Sequence, residues 1–331
     1  MNPFFSIIIP IYNVAPYLRE CLDSVMVQSC TDWEAICVDD GSTDDSGAIL
    51  DEYAARDHRF RVIHQVNAGV SVSRNVGIDS AIGKYITFLD GDDVYEPFWL
   101  EAFRGLIDET NADLVRLRMK TWNGDRKPAV SVTECRYRAL VGNDEVVDWG
   151  YATYCTEGWS WLNAIKRACL MDSRGVRFPV GMKFMEDNVF MLKVLPLIHK
   201  AIQGEAVGYL YRQRPLSVCG GHRDSSMIAR LFAEIGKMVP HPVSARKDIS
   251  WMLGRSVLDW RKHQDRSEKG ADSVVLGHVI SAIKTSLIHL PDLPARWRFG
   301  FFATAFIHSF LVIDVLLFMQ KVWGATRRFV K

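Results

Sequence analysis

Ile86-Thr87-Phe88-Leu89-Asp90-Gly91-Asp92-Asp93 is a β-branched and aromatic run that stops in three carboxylates. Its apolar half, with Tyr85 before it, reads as a short strand, and Asp90-Gly91-Asp92-Asp93 as the turn where that strand ends. Carboxylates packed this closely repel one another unless a cation lies between them, and hard oxygen ligands suit Mg²⁺ or Mn²⁺. For a lone Asp-Gly-Asp the plainer role is structural, with Asp92 or Asp93 capping a helix that the spacing predicts over 96–107.

Working outward, the same strand-then-helix unit recurs. Residues 4–11 read as a strand closed by Pro10 and Asn13, and 16–28 as a helix with Leu18, Leu22, Val25 and Met26 at helical spacing. Strand 33–38 runs into Asp39-Asp40-Gly41-Ser42 before helix 45–55, and strand 60–65 precedes helix 70–82. Four strands alternating with helices predict an α/β fold whose mostly parallel sheet is covered on both faces. Such sheets bind ligands outside the carboxyl ends of their strands. Tyr12, Asn13, Asp39, Asp40, Asp90 and Asp92 all follow strands and are therefore expected around one crevice. A fifth run, 112–119, extends the sheet, and 121–147 reads as a patternless polar excursion. Helix 159–170, loop 173–185, helix 186–198 and strand 201–211 form a second, mixed segment, and the pattern beyond Gly220 is helical.

Composition sets outer limits. The 331 residues allow one large domain with an appendage or two domains, and 48% hydrophobic with 24% charged residues excludes disordered, collagen-like and disulfide-scaffold classes. Forty Lys+Arg against 39 Asp+Glu leave a net charge of +1, which offers no field for a nucleic-acid backbone, so no nucleic-acid partner is expected. Cys21, Cys30, Cys37, Cys135, Cys155, Cys169 and Cys219 are odd in number and without Cys-x-x-Cys spacing, which suits a reducing cytosol. The first residues carry no basic leader and no small-residue cleavage site, so a cytoplasmic location is expected. No Gly-x-Gly-x-x-Gly follows any strand, which excludes a dinucleotide enzyme.

Residues 299–320 are overwhelmingly apolar, interrupted by His308, Ser309, Asp314 and Gln320 and flanked by Arg296, Arg298, Lys321, Arg327, Arg328 and Lys331. The length suffices to span a bilayer. Asp314 near the middle would cost about 2.5–3.5 kcal/mol on insertion scales. A helix lying in the interface, helped by the basic flanks, is at least as economical. A core or oligomer helix is the remaining alternative, and homo-oligomerisation stays open.

Two further stretches carry chemistry. In Val38-Asp39-Asp40-Gly41-Ser42-Thr43-Asp44, Gly41 permits a tight turn and Ser42, Thr43 and Asp44 are candidate caps, which leaves Asp39 and Asp40 over. A carboxylate at such a strand end can accept from a uracil N3–H or a ribose hydroxyl. Asn67-Ala68-Gly69-Val70-Ser71-Val72-Ser73-Arg74-Asn75 opens a helix, where Arg74 either pairs with a nucleotide or braces the aspartates.

Taken together, Pro10-x-Tyr12-Asn13, the Val-Asp-Asp-Gly-Ser-Thr-Asp run, Asn67-x-Gly69-x-Ser71-x-x-Arg74-Asn75, Phe88-Leu89-Asp90-x-Asp92-Asp93 and Glu186-Asp187-x-x-Phe190 occur in the order found in family 2 glycosyltransferases. The chain resembles that family over roughly residues 4–215. The resemblance implies a GT-A fold over 1–220, with a nucleotide-binding half 1–119 and an acceptor half 120–220, followed by a helical region 221–331. It implies an inverting transfer of one sugar from a nucleotide-sugar donor, UDP-linked, to a glycan or lipid-linked acceptor in surface polysaccharide assembly, at the inner face of the membrane.

By the same resemblance Asp40 reads the base, with Asp39, Pro10, Tyr12, Asn13 and Asn67 shaping the donor pocket. Asp92 is then the direct ligand of Mn²⁺ or Mg²⁺, Asp90 contacts ribose or metal water beside Gly91, and Asp187 is the general base with Glu186 its neighbour. Arg212 or Arg214 would hold phosphate, His222 has no distinguishing context, and Trp159 and Trp161 either stack on an acceptor sugar or pack. Two other readings compete. One is a haloacid-dehalogenase-type phosphatase with Asp90 as nucleophile, and the other a membrane-attached scaffold that has kept the fold without catalysis.

Overall fold

Strand β1 (Phe5–Ile11) is buried on both faces, because Phe5, Ile7 and Ile9 and the alternating Ser6 and Ile8 are all inaccessible to solvent. A strand so buried needs layers above and below it. In this computed structural model, which describes residues 2–124, 136–155, 157–171, 175–213, 225–238, 246–263, 275, 277–279 and 281–282, helices supply both. Phe5 approaches Phe103 of α4 (Trp99–Thr110) from one side. On the other face, Ile8 lies against Gly77 of α3 (Val70–Ser80).

The remaining early elements fall where the alternation puts them. Helix α1 (Ala15–Met26) has proline in its first turn, whose missing N–H costs nothing there. Strand β2 (Trp33–Asp39), helix α2 (Ser46–Arg56), strand β3 (Phe60–His64) and strand β4 (Tyr85–Phe88) follow. Helix α4 ends on Asn111 in the left-handed conformation, a common C-terminal stop. It begins three residues later than the spacing predicts, because Val94–Tyr95 forms a two-residue strand, β5.

The sheet of the described residues runs β3-β2-β1-β4-β8-β6-β9-β5, with β7 pairing β9. From β3 to β4 every pairing is parallel, as expected. Beyond β4 it is mixed. Strand β8 (Asn163–Lys166) is antiparallel to both β4 and β6 (Leu114–Trp122), and β9 (Lys200–Arg212) is parallel to β6 but antiparallel to β5 and β7 (Tyr137–Val141). A mostly parallel sheet therefore describes only its first half.

Three sequence expectations need correction. The predicted helix over 159–170 is a single 3₁₀ turn (Ser160–Leu162), then β8, then the short helix α6 (Arg167–Leu170). The 121–147 stretch is not patternless at its end, where β7 and α5 (Asn143–Tyr154) form; residues 125–135 lie outside the described residues. Helix α7 (Glu186–Val194) stops short of 198, since Pro196 sits in a 3₁₀ turn over Leu195–Leu197.

Two units divide the chain. The first comprises Met1–Trp149, Gly158–Gly181 and Glu186–Pro215, and contains the whole sheet. Within the second, Gly150–Glu157, Met182–Met185 and Leu216–Lys331, α8 (Ser225–Gly236) buries Ile228, Leu231, Phe232 and Ile235. Helix α9 (Arg246–His263) buries Ile249, Met252, Leu253, Val257 and Trp260 in the same unit. Arg214, His222 and the apolar 299–320 lie outside the described residues. Among the described residues no helix is long and apolar enough to cross a membrane.

Candidate active site

The ends of β1, β2 and β4 meet through short backbone ties. The Asp40 N–H donates to the Ile11 carbonyl at 2.8 Å, and Asn13, at positive φ, accepts from the Thr43 N–H at 2.8 Å. An ideal Cβ on Gly91 would lie 3.4 Å from the Pro10 carbonyl oxygen. Pro10, Tyr12, Asn13, Asp39, Asp40, Asp90, Gly91 and Asp92 are thus gathered at one edge of the sheet, as the strand-end rule requires. Tyr12 and Asn67 are exposed.

Both strand-end aspartates of β2 already have partners. Asp39 accepts from the Ser42 N–H at 2.9 Å and faces His64 Nδ1 at 2.9 Å, while His64 Nε2 faces Asp51 at 3.2 Å. Burial raises the Asp39 pKa, but the contacts with Ser42 and His64 outweigh it and leave the carboxyl below its ordinary range. Asp40 accepts from Gln65 Nε2 at 2.6 Å, the Ala68 N–H at 2.9 Å and the Gly69 N–H at 2.8 Å. It therefore pins the loop from β3 to α3. Three donors leave a carboxylate with one lone-pair site over. Gly41, at φ +72°, permits this turn, since a Cβ there would come within 2.9 Å of the Asn67 nitrogen.

The Asp-x-Asp turn is anchored from inside. Asp93 is buried, accepts from the Tyr209 hydroxyl at 2.7 Å and from the Arg212 N–H at 2.8 Å, and its own N–H closes the turn on the Asp90 carbonyl. Burial, then the neighbouring Asp92 and Asp90 carboxylates, push the Asp93 carboxyl up to about 8. Arg212 Nε donates to the Asp92 carbonyl at 2.7 Å and Nη2 to Glu20 at 2.7 Å, with its guanidinium 4.2 Å from the Trp122 ring centre. This arginine braces the turn.

Helix α7 is held beside the turn by aromatic packing and a two-way clamp. Phe178 stacks on Phe190 at 3.8 Å, and both meet Phe88 of β4 edge-on. Asn75 donates to the Phe178 carbonyl at 3.0 Å and accepts from its N–H at 2.8 Å. Phe190 is one turn beyond Glu186, so this packing sets the start of α7 near the end of β4.

Buried Arg74 joins the two motifs. Its Nη2 donates to Asp90 Oδ1 at 2.9 Å, and Nη1 to Asp187 Oδ1 at 3.0 Å and Glu186 Oε1 at 3.3 Å. Burial opposes its charge, yet the three carboxylates outweigh that and raise its pKa. A buried guanidinium facing three acids can persist only as part of such a network. Burial and, less strongly, Glu186 and Asp90 raise the Asp187 carboxyl, Arg74 and a hydrogen bond from Ser160 at 2.7 Å lower it, and the balance leaves it pushed up to about 7. The sequence reading missed Ser160, whose only local signal is its place between Trp159 and Trp161.

For a divalent cation the donor set at this turn, Asp90 and Asp92, is hard oxygen. Among the described residues, however, no three His, Cys, Asp or Glu side chains close round one point. The residues thus fit an ion of the Mg²⁺ type, held by one or two carboxylates and completed by substrate phosphates. The phosphatase arrangement is not met, because there the Asp-x-Asp ends the first strand, whereas here it follows the fourth.

Known proteins resemble this chain in sequence and in fold. The chain is 34% identical over 218 residues to Bacillus subtilis EpsJ, named an uncharacterized glycosyltransferase, covering 66% of this chain and 63% of EpsJ, short of two thirds of that relative. It is 41% identical over 268 residues to the glycosyltransferase GlyG of Streptococcus pneumoniae, covering 78% of this chain and 86% of GlyG. The crystal structure of S. aureus TarS 1-349 in complex with UDP-GlcNAc superposes with a TM-score of 0.72 over 96% of this chain and 90% of that one, at 21% identity, which supports the GT-A fold. The family model described as Glycosyl transferase family 2 matches residues 6–171, from the first strand to just past α6, and the chain belongs to that family.

Proposed function

We propose that the chain is an inverting, metal-dependent glycosyltransferase that moves one sugar from a UDP-linked donor to a glycan or lipid-linked acceptor of a surface polysaccharide. The observation that carries this reading is the Arg74 guanidinium, which holds the strand-end Asp90 on one nitrogen and the helix-start Asp187 and Glu186 on the other. Transfer with inversion needs a group that receives the leaving diphosphate and a base that serves the acceptor, and Arg74 fixes the two sets together. The TarS structure holds UDP-GlcNAc, which supports a nucleotide-sugar donor.

In this reading residues 1–119 bind the nucleotide and 120–220 the acceptor. Asp40 reads the base through its remaining lone-pair site, and Asp39, Pro10, Tyr12, Asn13 and Asn67 border the same pocket. Asp92, with Asp90 beside it, would hold Mn²⁺ or Mg²⁺, and the chemistry such an ion would supply there is neutralisation of charge on the leaving diphosphate. Asp187 takes the proton of the acceptor hydroxyl, whose oxygen attacks C1 from the face opposite the diphosphate, so the anomeric centre inverts. Arg212, by holding the Asp92 carbonyl, keeps the turn in place beside the phosphates.

Calorimetric binding of UDP, GDP, CDP and TDP, with Mn²⁺ present or chelated, tests the donor half of this reading. UDP is expected to bind only with the metal, and Asp92→Ala to lose that binding. Failure of every nucleotide to bind would favour the non-catalytic scaffold.

A further inference from the structure

Two donors converge on one oxygen of the proposed base. Arg74 Nη1 at 3.0 Å and Ser160 Oγ at 2.7 Å both reach Asp187 Oδ1, while Oδ2 has no hydrogen-bond partner among the described residues. We propose that Ser160 is a positioning residue for the transfer: with Arg74 it fixes Oδ1 and thereby presents Oδ2 as the atom that takes the acceptor's proton. This rests on Asp187 being the base.

The physical case begins with rotation about the last bond of the aspartate, a soft torsion that exchanges the two oxygens. With one donor, turning the carboxylate out of this orientation would break one charge-assisted hydrogen bond; with two on the same oxygen it breaks both. Ser160 can do this because it is itself immobilised. It is inaccessible to solvent and lies in the 3₁₀ turn, with its carbonyl accepting from Asn163 Nδ2 at 3.2 Å and the Trp159 carbonyl from the same amide at 2.9 Å. The flanking Trp159 and Trp161 rings stack at 5.4 Å, and Trp161 stacks at 4.1 Å on Tyr209, whose hydroxyl anchors Asp93. The turn that aims the base thus leans on the residue that anchors the Asp-x-Asp turn.

The step balances simply. The acceptor O–H proton passes to Oδ2, the oxygen's electron pair forms the bond to C1, and the C1–O bond to the diphosphate breaks with its pair leaving on the phosphate. A base oxygen fixed in advance needs no reorganisation when the proton moves.

The test compares Ser160→Ala, Ser160→Thr and Asp187→Asn in two ways. With UDP-GlcNAc, UDP-glucose and UDP-galactose as donor probes and water as acceptor, nucleotide release is followed against pH. Ser160→Ala is expected to lower kcat about tenfold with donor KM within about twofold, and Ser160→Thr, which keeps the hydroxyl, to recover most of the loss. In parallel, with γ-¹³C aspartate label and the Asp187 signal identified by its loss in Asp187→Asn, Ser160→Ala is expected to raise the titration midpoint of that signal by about one pH unit. The titration needs no substrate, so it decides the proposal even where none of the probes turns over. An unmoved midpoint, or an unchanged kcat beside an inactive Asp187→Asn, overturns the role of Ser160 while sparing the base. An active Asp187→Asn overturns the base and this proposal with it.

Discussion

At the residue scale the site is a balance of burial against pairing. Burial alone would keep Asp187 protonated at neutral pH, whereas Arg74 and Ser160 stabilise its ionised form. A base acts only when ionised, so a carboxyl pushed up to about 7 moves the active range toward alkaline pH. The rate of transfer is therefore expected to rise from about pH 6, to reach half its maximum near about pH 7 and to level above about pH 8. Asp187→Asn should lower kcat by about 10²–10⁴-fold and leave nucleotide affinity unchanged. A wild-type profile that is flat down to about pH 5 would place the base elsewhere. The Asp90-Gly91-Asp92-Asp93 turn was legible in the sequence as a dense acidic motif at a strand end, whereas Glu186 and Asp187, two acids at a helix start, entered the candidate site only through the family resemblance. What the sequence could not show is that Arg74 bridges them, since the choice between a nucleotide partner and an aspartate brace depends on contacts 112 and 113 residues away.

At the scale of elements, the crevice depends on β4 lying tight against β1. Gly83 leads into β4, and a Cβ there would come within 2.6 Å of the Ser6 nitrogen and 2.8 Å of the Phe5 carbonyl carbon, both backbone atoms of β1. Gly83→Ala must push the two strands apart, at about 1–3 kcal/mol. Gly105, by contrast, lies inside α4 with open space around its Cβ position, so Gly105→Ala should stabilise by about 0.5–1 kcal/mol through helix propensity. Opposite shifts in melting temperature are expected from the two glycines, and a Gly83→Ala protein that melts with the wild type would refute the close approach. The βα alternation up to residue 110 was readable because each strand is followed by its own helix and turn. Strand β8 was not, since four residues, Asn163–Lys166, carry too little period to tell strand from helix. Its identity comes from antiparallel partners, β4 and β6, that are distant in sequence. The two-residue β5 is likewise defined only by β9.

At the scale of the whole molecule, a net charge of +1 gives no general attraction to an anionic surface, so any membrane affinity must be local. The local candidate is 299–320 with its basic flanks. That stretch lies outside the described residues, and its sequence carries the expectation of membrane attachment. An interfacial helix and a spanning one differ in what they respond to. Interfacial binding gains about 1 kcal/mol for each basic residue near an anionic surface, a gain that salt screens, whereas insertion across the bilayer is insensitive to either. The full chain is therefore expected to float with phosphatidylglycerol-containing vesicles at low salt, to release as salt approaches about 1 M, and to bind neutral phosphatidylcholine vesicles weakly. Removal of 296–331 should abolish flotation while leaving metal-dependent UDP binding intact, since the proposed donor residues, from Pro10 to Arg212, all lie in the first unit. Flotation that persists in the truncated chain would remove the tail from membrane attachment. Flotation of the full chain that resists both salt and alkaline carbonate would instead mean that Asp314 is carried across the bilayer, at its cost of about 2.5–3.5 kcal/mol offset by the surrounding Leu, Ile and Phe.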